Sequence, residues 1–207
     1  TSPRSAPRRR AIPSSALSDG LLLTHGAGGN ARMPFLVALD NALTARGLTV
    51  LRYDLPYRQA RPKGPPRPRE AAGDREGLRE AVQSLRAQMS GRVFLGGQSY
   101  GGRQASILAA AEPELADALL LLSYPLHPPG RPAELRTAHF PELRTPALFV
   151  QGSADPFGSL DELEAARTRI PARTSVLPVE GAGHDLSRRG GPVTVEAIVA
   201  AFLAFVK

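Results

Sequence analysis

One stretch of the chain, residues 92–111, places a serine between a short apolar run and an alanine-rich segment. Residues 93–95 are typical of a buried strand, and residues 104–111 contain no helix breaker. Between them lies the sequence GQSYG, with Ser99 at its centre. The pattern predicts a strand, a sharp turn and a helix, with a strained backbone that holds the Ser99 hydroxyl clear of the strand ends.

Gly97 and Gly101 are the two glycines that this turn requires. A side chain at either position is expected to collide with the neighbouring strand or helix, where the backbone passes closest. The helix after the turn would direct its first N–H groups toward Ser99, a favourable place for negative charge. Because a pattern this short also arises by chance, Ser99 alone could be an ordinary turn serine. The strand before it and the helix after it favour the functional interpretation.

From Gly20 onward, predicted strands alternate with predicted helices. This alternation is typical of a mostly parallel sheet, here of about six to seven strands, with helices on both faces. We expect a single domain over residues 20–207, preceded by a loose arm over residues 1–19. Residues 58–69 are too rich in proline for regular structure and are expected to form a long surface loop. The predicted strands are 21–24, 48–53, 93–95, 116–123, 146–151 and 174–178, and the predicted helices are 34–46, 70–89, 104–111, 159–170 and 193–206.

Composition excludes several classes of protein. The chain has 207 residues and no cysteine, so disulfides, thiolate metal sites and a cysteine nucleophile are excluded. No apolar run approaches the roughly 18 residues of a membrane helix, and a cytoplasmic location is the default expectation. The net charge of +7 would suit nucleic acid, but the two dense basic clusters, residues 8–10 and 58–69, contain no interleaved aromatic residues. Neither nucleic acid nor a membrane is expected as a partner, and the sequence indicates no oligomeric state.

Three predicted strand ends carry the side chains that nucleophilic catalysis uses. Ser99 follows one strand, Asp155 a later one and His184 the last, which is the order associated with the α/β-hydrolase arrangement. A serine hydroxyl is a poor nucleophile until an imidazole takes its proton, and a carboxylate fixes the tautomer of that imidazole. Taken singly, Asp155 could be a turn former and His184 a solvated loop residue. Asp54 and Asp185 are also near strand ends, but neither has the arrangement expected of the acid, with an intervening helix that leads to the histidine.

The remaining site predictions concern the surroundings of Ser99. Two backbone N–H groups are needed for an oxyanion hole, and we assign them to Tyr100 and Ala27, with His25 structural. The segment 58–69 and the loop 124–130 are expected to form the substrate rim, where the candidate contact residues are Tyr57, Tyr124 and His127. His139, near the same proline-rich loop, is a further candidate for contact with substrate. No cofactor or metal is predicted, because the four histidines are dispersed along the chain.

Several motifs together resemble a known family. They are THGAGGN, YDLPYRQARPKGPPRPRE, FLGGQSYGGRQAS, LLLSYPLHPPGRP, LFVQGSADPFG and EGAGHDL. The chain is similar to small bacterial α/β-hydrolase-fold proteins grouped with the vertebrate testis-expressed and non-specific-lethal-complex homologues, which are also described as dienelactone-hydrolase-like. The resemblance implies a compact α/β-hydrolase fold with Ser99, Asp155 and His184 as the triad, but it implies no substrate. Dienelactone hydrolases use cysteine at the elbow, so Ser99 argues against that activity.

These observations lead to two functional hypotheses. The first is a serine hydrolase, of the carboxylesterase or thioesterase type, that cleaves small esters or thioesters through an acyl-enzyme. The second is a non-catalytic scaffold with the same fold, as the eukaryotic relatives suggest. About 20 residues separate the strand ending at Ser123 from the next strand, too few for a lid domain, so an open site and short acyl groups are expected.

Overall fold

Short runs of leucine, valine and phenylalanine form the strands of a central sheet, because parallel strands are buried on both faces. The computed structural model describes residues 18–186 and 191–207. The six strands follow the order β2-β1-β3-β4-β5-β6, and every neighbouring pair is parallel. The strands are β1 (Gly20–Thr24), β2 (Thr49–Tyr53), β3 (Val93–Gln98), β4 (Leu119–Leu122), β5 (Ala147–Gly152) and β6 (Thr174–Val179).

Helices cover both faces of this sheet, as predicted. Side chains alternate along each strand, so Leu22 belongs to one core and its neighbours Leu21 and Leu23 to the other. The first core packs against α3, α4 and α5, and the second against α1 and α6, where Phe94 meets Phe202 edge to face. The helices are α1 (Pro34–Thr44), α2 (Pro56–Ala60), α3 (Ala71–Arg86), α4 (Tyr100–Ala111), α5 (Leu160–Arg167) and α6 (Gly191–Phe205), with 3₁₀ turns at Pro68–Glu70 and Phe140–Glu142.

The segment between β2 and α3 differs from the prediction. A surface loop is expected over residues 58–69, but α2 extends to Ala60, and both Tyr57 and Arg58 are buried. Pro56 occupies the first turn of α2, where its fixed φ suits a helix and its missing N–H leaves no bond unmade. Proline therefore starts this helix instead of preventing it.

Two strand boundaries also differ from the sequence-based ones. β3 continues to Gln98 because its glycines fit between neighbouring strands: a Cβ on Gly96 would lie 3.0 Å from the carbonyl oxygen of Leu120. β4 begins only at Leu119 and ends before Ser123, which has a φ of 49°. The 3₁₀ turn at Phe140–Glu142 is the regular structure between β4 and β5, and no lid domain is inserted there, as predicted.

The ends of the chain bear on two further expectations. Of the predicted arm, residues 1–17 lie outside the described residues, whereas Asp19 forms an ion pair with Arg92 at 2.7 Å. The single-domain boundary at residue 20 stays a prediction. In the part of the chain that the structure describes, no helix has the length and apolar character to cross a membrane.

Candidate active site

Ser99 lies at the junction of β3 and α4 in a backbone conformation that few non-glycine residues adopt. Its φ is 50° and its ψ is −115°, a sparsely populated region that costs free energy and tends to occur at functional sites. The Ser99 N–H donates to the carbonyl oxygen of Leu122 at 2.8 Å, which ties the turn to β4. The turn thus holds the hydroxyl at the carboxyl end of the sheet.

The glycines around Ser99 make this turn sterically possible. A Cβ on Gly97 would lie 2.6 Å from the amide nitrogen of Gly102, and one on Gly101 would lie 2.5 Å from the carbonyl oxygen of His25. Gly102, which the motif does not include, is equally constrained, since its Cβ would lie 2.5 Å from the carbonyl oxygen of Gly97. Any side chain at these positions would push α4 away from the sheet.

The structure brings Ser99, His184 and Asp155 into one hydrogen-bonded row. Ser99 Oγ lies 2.8 Å from His184 Nε2, and His184 Nδ1 lies 2.9 Å from Asp155 Oδ2. The ring of Phe157 stacks on the imidazole at 4.0 Å between centroids, which fixes the plane of the ring. With Nδ1–H donated to the carboxylate, Nε2 presents its lone pair to the serine hydroxyl.

Asp155 is held in place by two further donors. Its side chain is fully buried, Oδ2 accepts from Gln151 Nε2 at 2.9 Å, and Oδ1 accepts from the Phe157 N–H at 2.8 Å. Asp54 instead accepts from the Ala31 N–H at 2.6 Å, and Asp185 lines the cavity described below. Of the three candidate carboxylates, Asp155 is the one hydrogen-bonded to His184.

The turn after β1, residues 26–29 (the 26–29 loop), faces Ser99. Hydrogen bonds on its other side fix its position. Its carbonyl oxygens accept hydrogen bonds from buried side chains: Ala27 O from Tyr57 Oη at 2.9 Å and Gly29 O from Arg58 Nε at 2.7 Å. Arg58 Nη2 also donates to Ala27 O at 3.2 Å. The carbonyl oxygens of Ala27 and Gly29 are therefore hydrogen-bonded to side chains of the protein. Ala27 itself lines the cavity.

His25 supports the same loop as a neutral ring. Nδ1 donates to the carbonyl oxygen of Gly26 at 2.9 Å, and Nε2 accepts from the Leu55 N–H at 3.2 Å. Burial lowers the pKa of His25, which agrees with a ring nitrogen acting as an acceptor. Asp74, fully buried, joins this region to the elbow by accepting from the Tyr57 N–H and from the Tyr100 hydroxyl.

Three predicted rim residues lie elsewhere. Tyr57, Tyr124 and His127 are buried and do not line the cavity. The Tyr124 hydroxyl donates to the carbonyl oxygen of Arg136, and His127 Nδ1 donates to that of Pro128. Aromatic rings with polar tips suit both a rim and a buried hydrogen bond, so the sequence alone does not distinguish the two. The predicted rim segments still border the cavity, through Pro65–Pro68 and Pro125.

A cavity of about 890 Å³ opens beside Ser99 and His184. Tyr100, Phe157 and the 26–29 loop line one part of it. Arginine side chains that the sequence analysis did not single out, Arg75, Arg103 and Arg136, line another. His139 lies behind them, with Nε2 2.8 Å from Ser106 Oγ, and does not reach the cavity. Within the described ranges, no three His, Asp or Glu side chains cluster closely enough to hold a metal ion.

The sequence profile of the α/β-hydrolase domain family matches residues 18–201. The chain belongs to this family.

Solved structures of the α/β-hydrolase fold resemble the chain over nearly its whole length. TT1662 from Thermus thermophilus is 24% identical, with a TM-score of 0.72 over 93% of this chain and 91% of the other. Dienelactone hydrolase from Anabaena variabilis is 20% identical, with a TM-score of 0.72 over 95% and 90%. XC6422 from Xanthomonas campestris, described as a serine hydrolase without a lid, is 19% identical, with a TM-score of 0.67 over 94% and 84%.

Proposed function

We propose that this α/β-hydrolase cleaves small carboxylic esters or thioesters through an acyl-enzyme on Ser99. The observation that carries the proposal is the row of hydrogen bonds from Ser99 Oγ through His184 to Asp155, with distances of 2.8 Å and 2.9 Å. A buried carboxylate, an imidazole in the right tautomer and a strained serine are the parts that acyl transfer needs.

The proposed reaction has two halves. Ser99 Oγ attacks the ester carbonyl carbon while His184 Nε2 takes the hydroxyl proton, forming a tetrahedral intermediate. When the bond to the leaving alcohol or thiol breaks, His184 returns that proton to the leaving group. A water molecule then attacks the acyl-enzyme by the same route and releases the acid. Asp155 stabilises the imidazolium formed in each half.

The oxyanion of the intermediate is assigned to the N–H groups of Ala27 and Tyr100. Tyr100 is the first residue of α4, where free N–H groups and the helix dipole favour negative charge. The Ala27 N–H shares a trans peptide group with the carbonyl of Gly26, which points the opposite way and accepts from His25 Nδ1 at 2.9 Å and from Tyr57 Oη at 3.3 Å. This arrangement supports an N–H pointing toward the cavity.

The substrate proposal follows from access to Ser99. The chain between β4 and β5 contains a 3₁₀ turn and no helical lid, so the cavity stays open to solvent. We propose short acyl groups as the preferred substrates. On a series of p-nitrophenyl esters from acetate to palmitate, kcat/KM should peak at short chains; a strong preference for palmitate would contradict this.

Covalent labelling tests the catalytic proposal. A fluorophosphonate should add one phosphonyl group to the intact protein, detected by mass spectrometry, and Ser99→Ala should abolish the addition. Ser123→Ala is a matched control, because Ser123 also has a positive φ at a strand end but is fully buried. An unlabelled wild-type protein, or labelling that survives Ser99→Ala, would reject the catalytic proposal. The first of these results would favour the scaffold hypothesis. The relationship to non-specific-lethal-complex proteins stays a prediction.

A further inference from the structure

The wall of the cavity formed by Arg75, Arg103 and Arg136 (the arginine wall) is unusually cationic for a site that accepts neutral esters. Among the described residues that line the cavity there are four arginines, with Arg67 as the fourth, and one carboxylate, Asp185. Among the other described residues, several partly buried arginines are paired with carboxylates, for example Arg79 with Glu112 at 2.6 Å and Arg52 with Asp40 at 2.8 Å. The arginine wall departs from that pattern.

Arg103 is the central member of the wall. It lies four residues after Ser99, about one helical turn, as the bond from its N–H to Ser99 O at 2.9 Å shows, so its Cα is about 6 Å further along the helix axis. Its Nε atom is buried and has no acceptor in the described part of the chain. An unmatched buried donor on a cation costs free energy that a ligand oxygen would recover.

The side chains around Arg103 also retain donors. Arg136 is half-buried and makes no side-chain hydrogen bond or ion pair with the described residues. Gln104 lines the cavity, accepts from Arg75 Nη1 at 2.7 Å through Oε1, and leaves its buried Nε2 without an acceptor. Burial, together with the charge of Arg103, lowers the pKa of Arg136, so the two guanidinium groups repel each other.

No undescribed part of the chain supplies the missing negative charge. Residues 1–17 and 187–190 contain no aspartate or glutamate, so all 19 acidic residues fall in the described ranges. None of them forms an ion pair with Arg103 or Arg136 there. Glu134 acts on Arg136 at longer range, but no carboxylate pairs directly with either guanidinium group, so an oxyanion of a ligand would supply that contact.

We propose that the arginine wall binds an oxyanion of the substrate, a carboxylate or phosphate, so that the ester or thioester cleaved at Ser99 is negatively charged. The planar guanidinium fork matches two oxygens of such a group, and Arg103 is close enough to act on the molecule that reacts at Ser99. This inference rests on the proposed function and adds the charge of the substrate to it.

Matched ester pairs test the inference kinetically. The first pair carries the charge on the acyl part: p-nitrophenyl hemiglutarate against p-nitrophenyl valerate. The second carries it on the alcohol part: 4-carboxyphenyl butyrate against 4-carbamoylphenyl butyrate. After subtraction of the Ser99→Ala rate, kcat/KM should favour the anionic member of one pair by about 10- to 100-fold, the usual effect of a charge-assisted hydrogen bond. Equal values in both pairs would overturn the inference.

Variants locate the effect. Arg103→Gln and Arg136→Gln should each reduce the anionic-to-neutral ratio about tenfold, and high salt should weaken it. Arg144→Gln is the control, because Arg144 is exposed and precedes β5, at the opposite end of the sheet from Ser99. A ratio that survives both wall variants, or falls equally in Arg144→Gln, would refute the assignment.

A binding measurement separates this inference from the proposed function. Glutarate should bind the wild-type protein in calorimetric titration, and glutaramide, its neutral analogue, should not. Loss of glutarate binding in Arg103→Gln would support the oxyanion site even if no ester were hydrolysed, in which case the catalytic proposal alone fails. Ester hydrolysis without glutarate binding and without a charge preference would leave the catalytic proposal standing and reject the arginine wall.

Discussion

The two sides of the cavity use arginine in opposite ways. Behind the 26–29 loop, Arg58 is buried and donates to the carbonyl oxygens of Gly29, Ala27, Arg61 and Gly64. On the arginine wall, Arg103 has a buried Nε with no acceptor in the described chain. The guanidinium group of Arg58 is hydrogen-bonded within the protein. That of Arg103 keeps a donor that a ligand could use.

This difference shows how to separate structural from functional arginines. Four hydrogen bonds to backbone carbonyls make Arg58 part of the scaffold that shapes the 26–29 loop, although it comes from a proline-rich and basic segment. Arg103 lies on a regular helix, where the sequence gives no sign of function. The distinction lies in which donors are satisfied by the protein, and substitutions should reveal it as different combinations of lost stability and lost specificity.

The largest expected effect on kcat comes from replacing Asp155, because hydrolysis at Ser99 requires this residue for every substrate. Asp155→Asn should leave the fold nearly intact but favour the wrong tautomer of His184, lowering kcat by about 10⁴-fold for anionic and neutral esters alike. Steady-state kinetics on both members of each ester pair measures this. Because the loss occurs at the reacting centre, the anionic-to-neutral ratio should not change.

Asp54→Asn serves as the comparison for this substitution. Asp54 accepts a hydrogen bond from the Ala31 N–H and does not contact His184, so its loss should affect kcat far less. If Asp54→Asn abolished hydrolysis while Asp155→Asn retained it, the acid would be misassigned, although Ser99 and His184 could still act together.

The next largest effect is expected from replacing Arg58, whose side chain donates hydrogen bonds to backbone carbonyls behind the 26–29 loop. Arg58→Gln should leave backbone carbonyls of the 26–29 loop without donors, costing about 3 kcal/mol of unfolding free energy. The loop should also move relative to Ser99, lowering kcat about 10²-fold for both members of each pair. Urea unfolding and steady-state kinetics would be measured together. A loss of activity with unchanged stability would indicate that Arg58 acts on substrate instead.

Much of the fold was predictable from the sequence because periodicity and strand-end chemistry are local signals. Buried runs such as Leu21–Leu23 mark parallel strands, and Ser159 with Glu162 forms the predicted capping box at the start of α5, with bonds of 3.2 Å and 2.8 Å. The short helix α2 was not predicted. The proline density of the segment 58–69 argues against a helix in general, whereas Pro56 at the first position favours one.

The candidate site was predictable only in part. Ser99, Asp155 and His184 follow strands and belong to recognisable motifs, so their convergence follows from the topology. Arg103 and Phe157 lie within the motifs FLGGQSYGGRQAS and LFVQGSADPFG, but neither residue indicates a role at the site by its type, and their positions depend on how α4 and the loop after β5 pack. Tyr57 was assigned to the rim because an aromatic residue near a strand end fits either role, and its hydroxyl in fact donates to the 26–29 loop.

A pH titration probes the region behind the arginine wall. Burial, with a contribution from the charge of Arg103, lowers the pKa of His139 to about 4. Between an unfolded value of about 6.5 and the folded value, the unfolded chain binds a proton that the folded chain does not, so stability falls as pH drops through this window. His139→Gln should reduce this acid-dependent loss, seen as a shallower fall in unfolding free energy from pH 6.5 to pH 4. Parallel curves for the two proteins would show that His139 is not responsible.

The smallest expected effect is the stability of Arg103→Gln, and it completes the comparison with Arg58→Gln. Because Arg103 satisfies no buried acceptor and repels Arg136, removing its charge should change the unfolding free energy by less than about 0.5 kcal/mol, or raise it slightly. The test compares the unfolding free energies of Arg103→Gln and Arg58→Gln, measured in urea at the same pH and salt concentration. A destabilisation of Arg103→Gln as large as that of Arg58→Gln would mean that Arg103 is also structural. The two sides of the cavity would then not differ in the way their hydrogen bonds indicate, and the proposed oxyanion site would lose its main support.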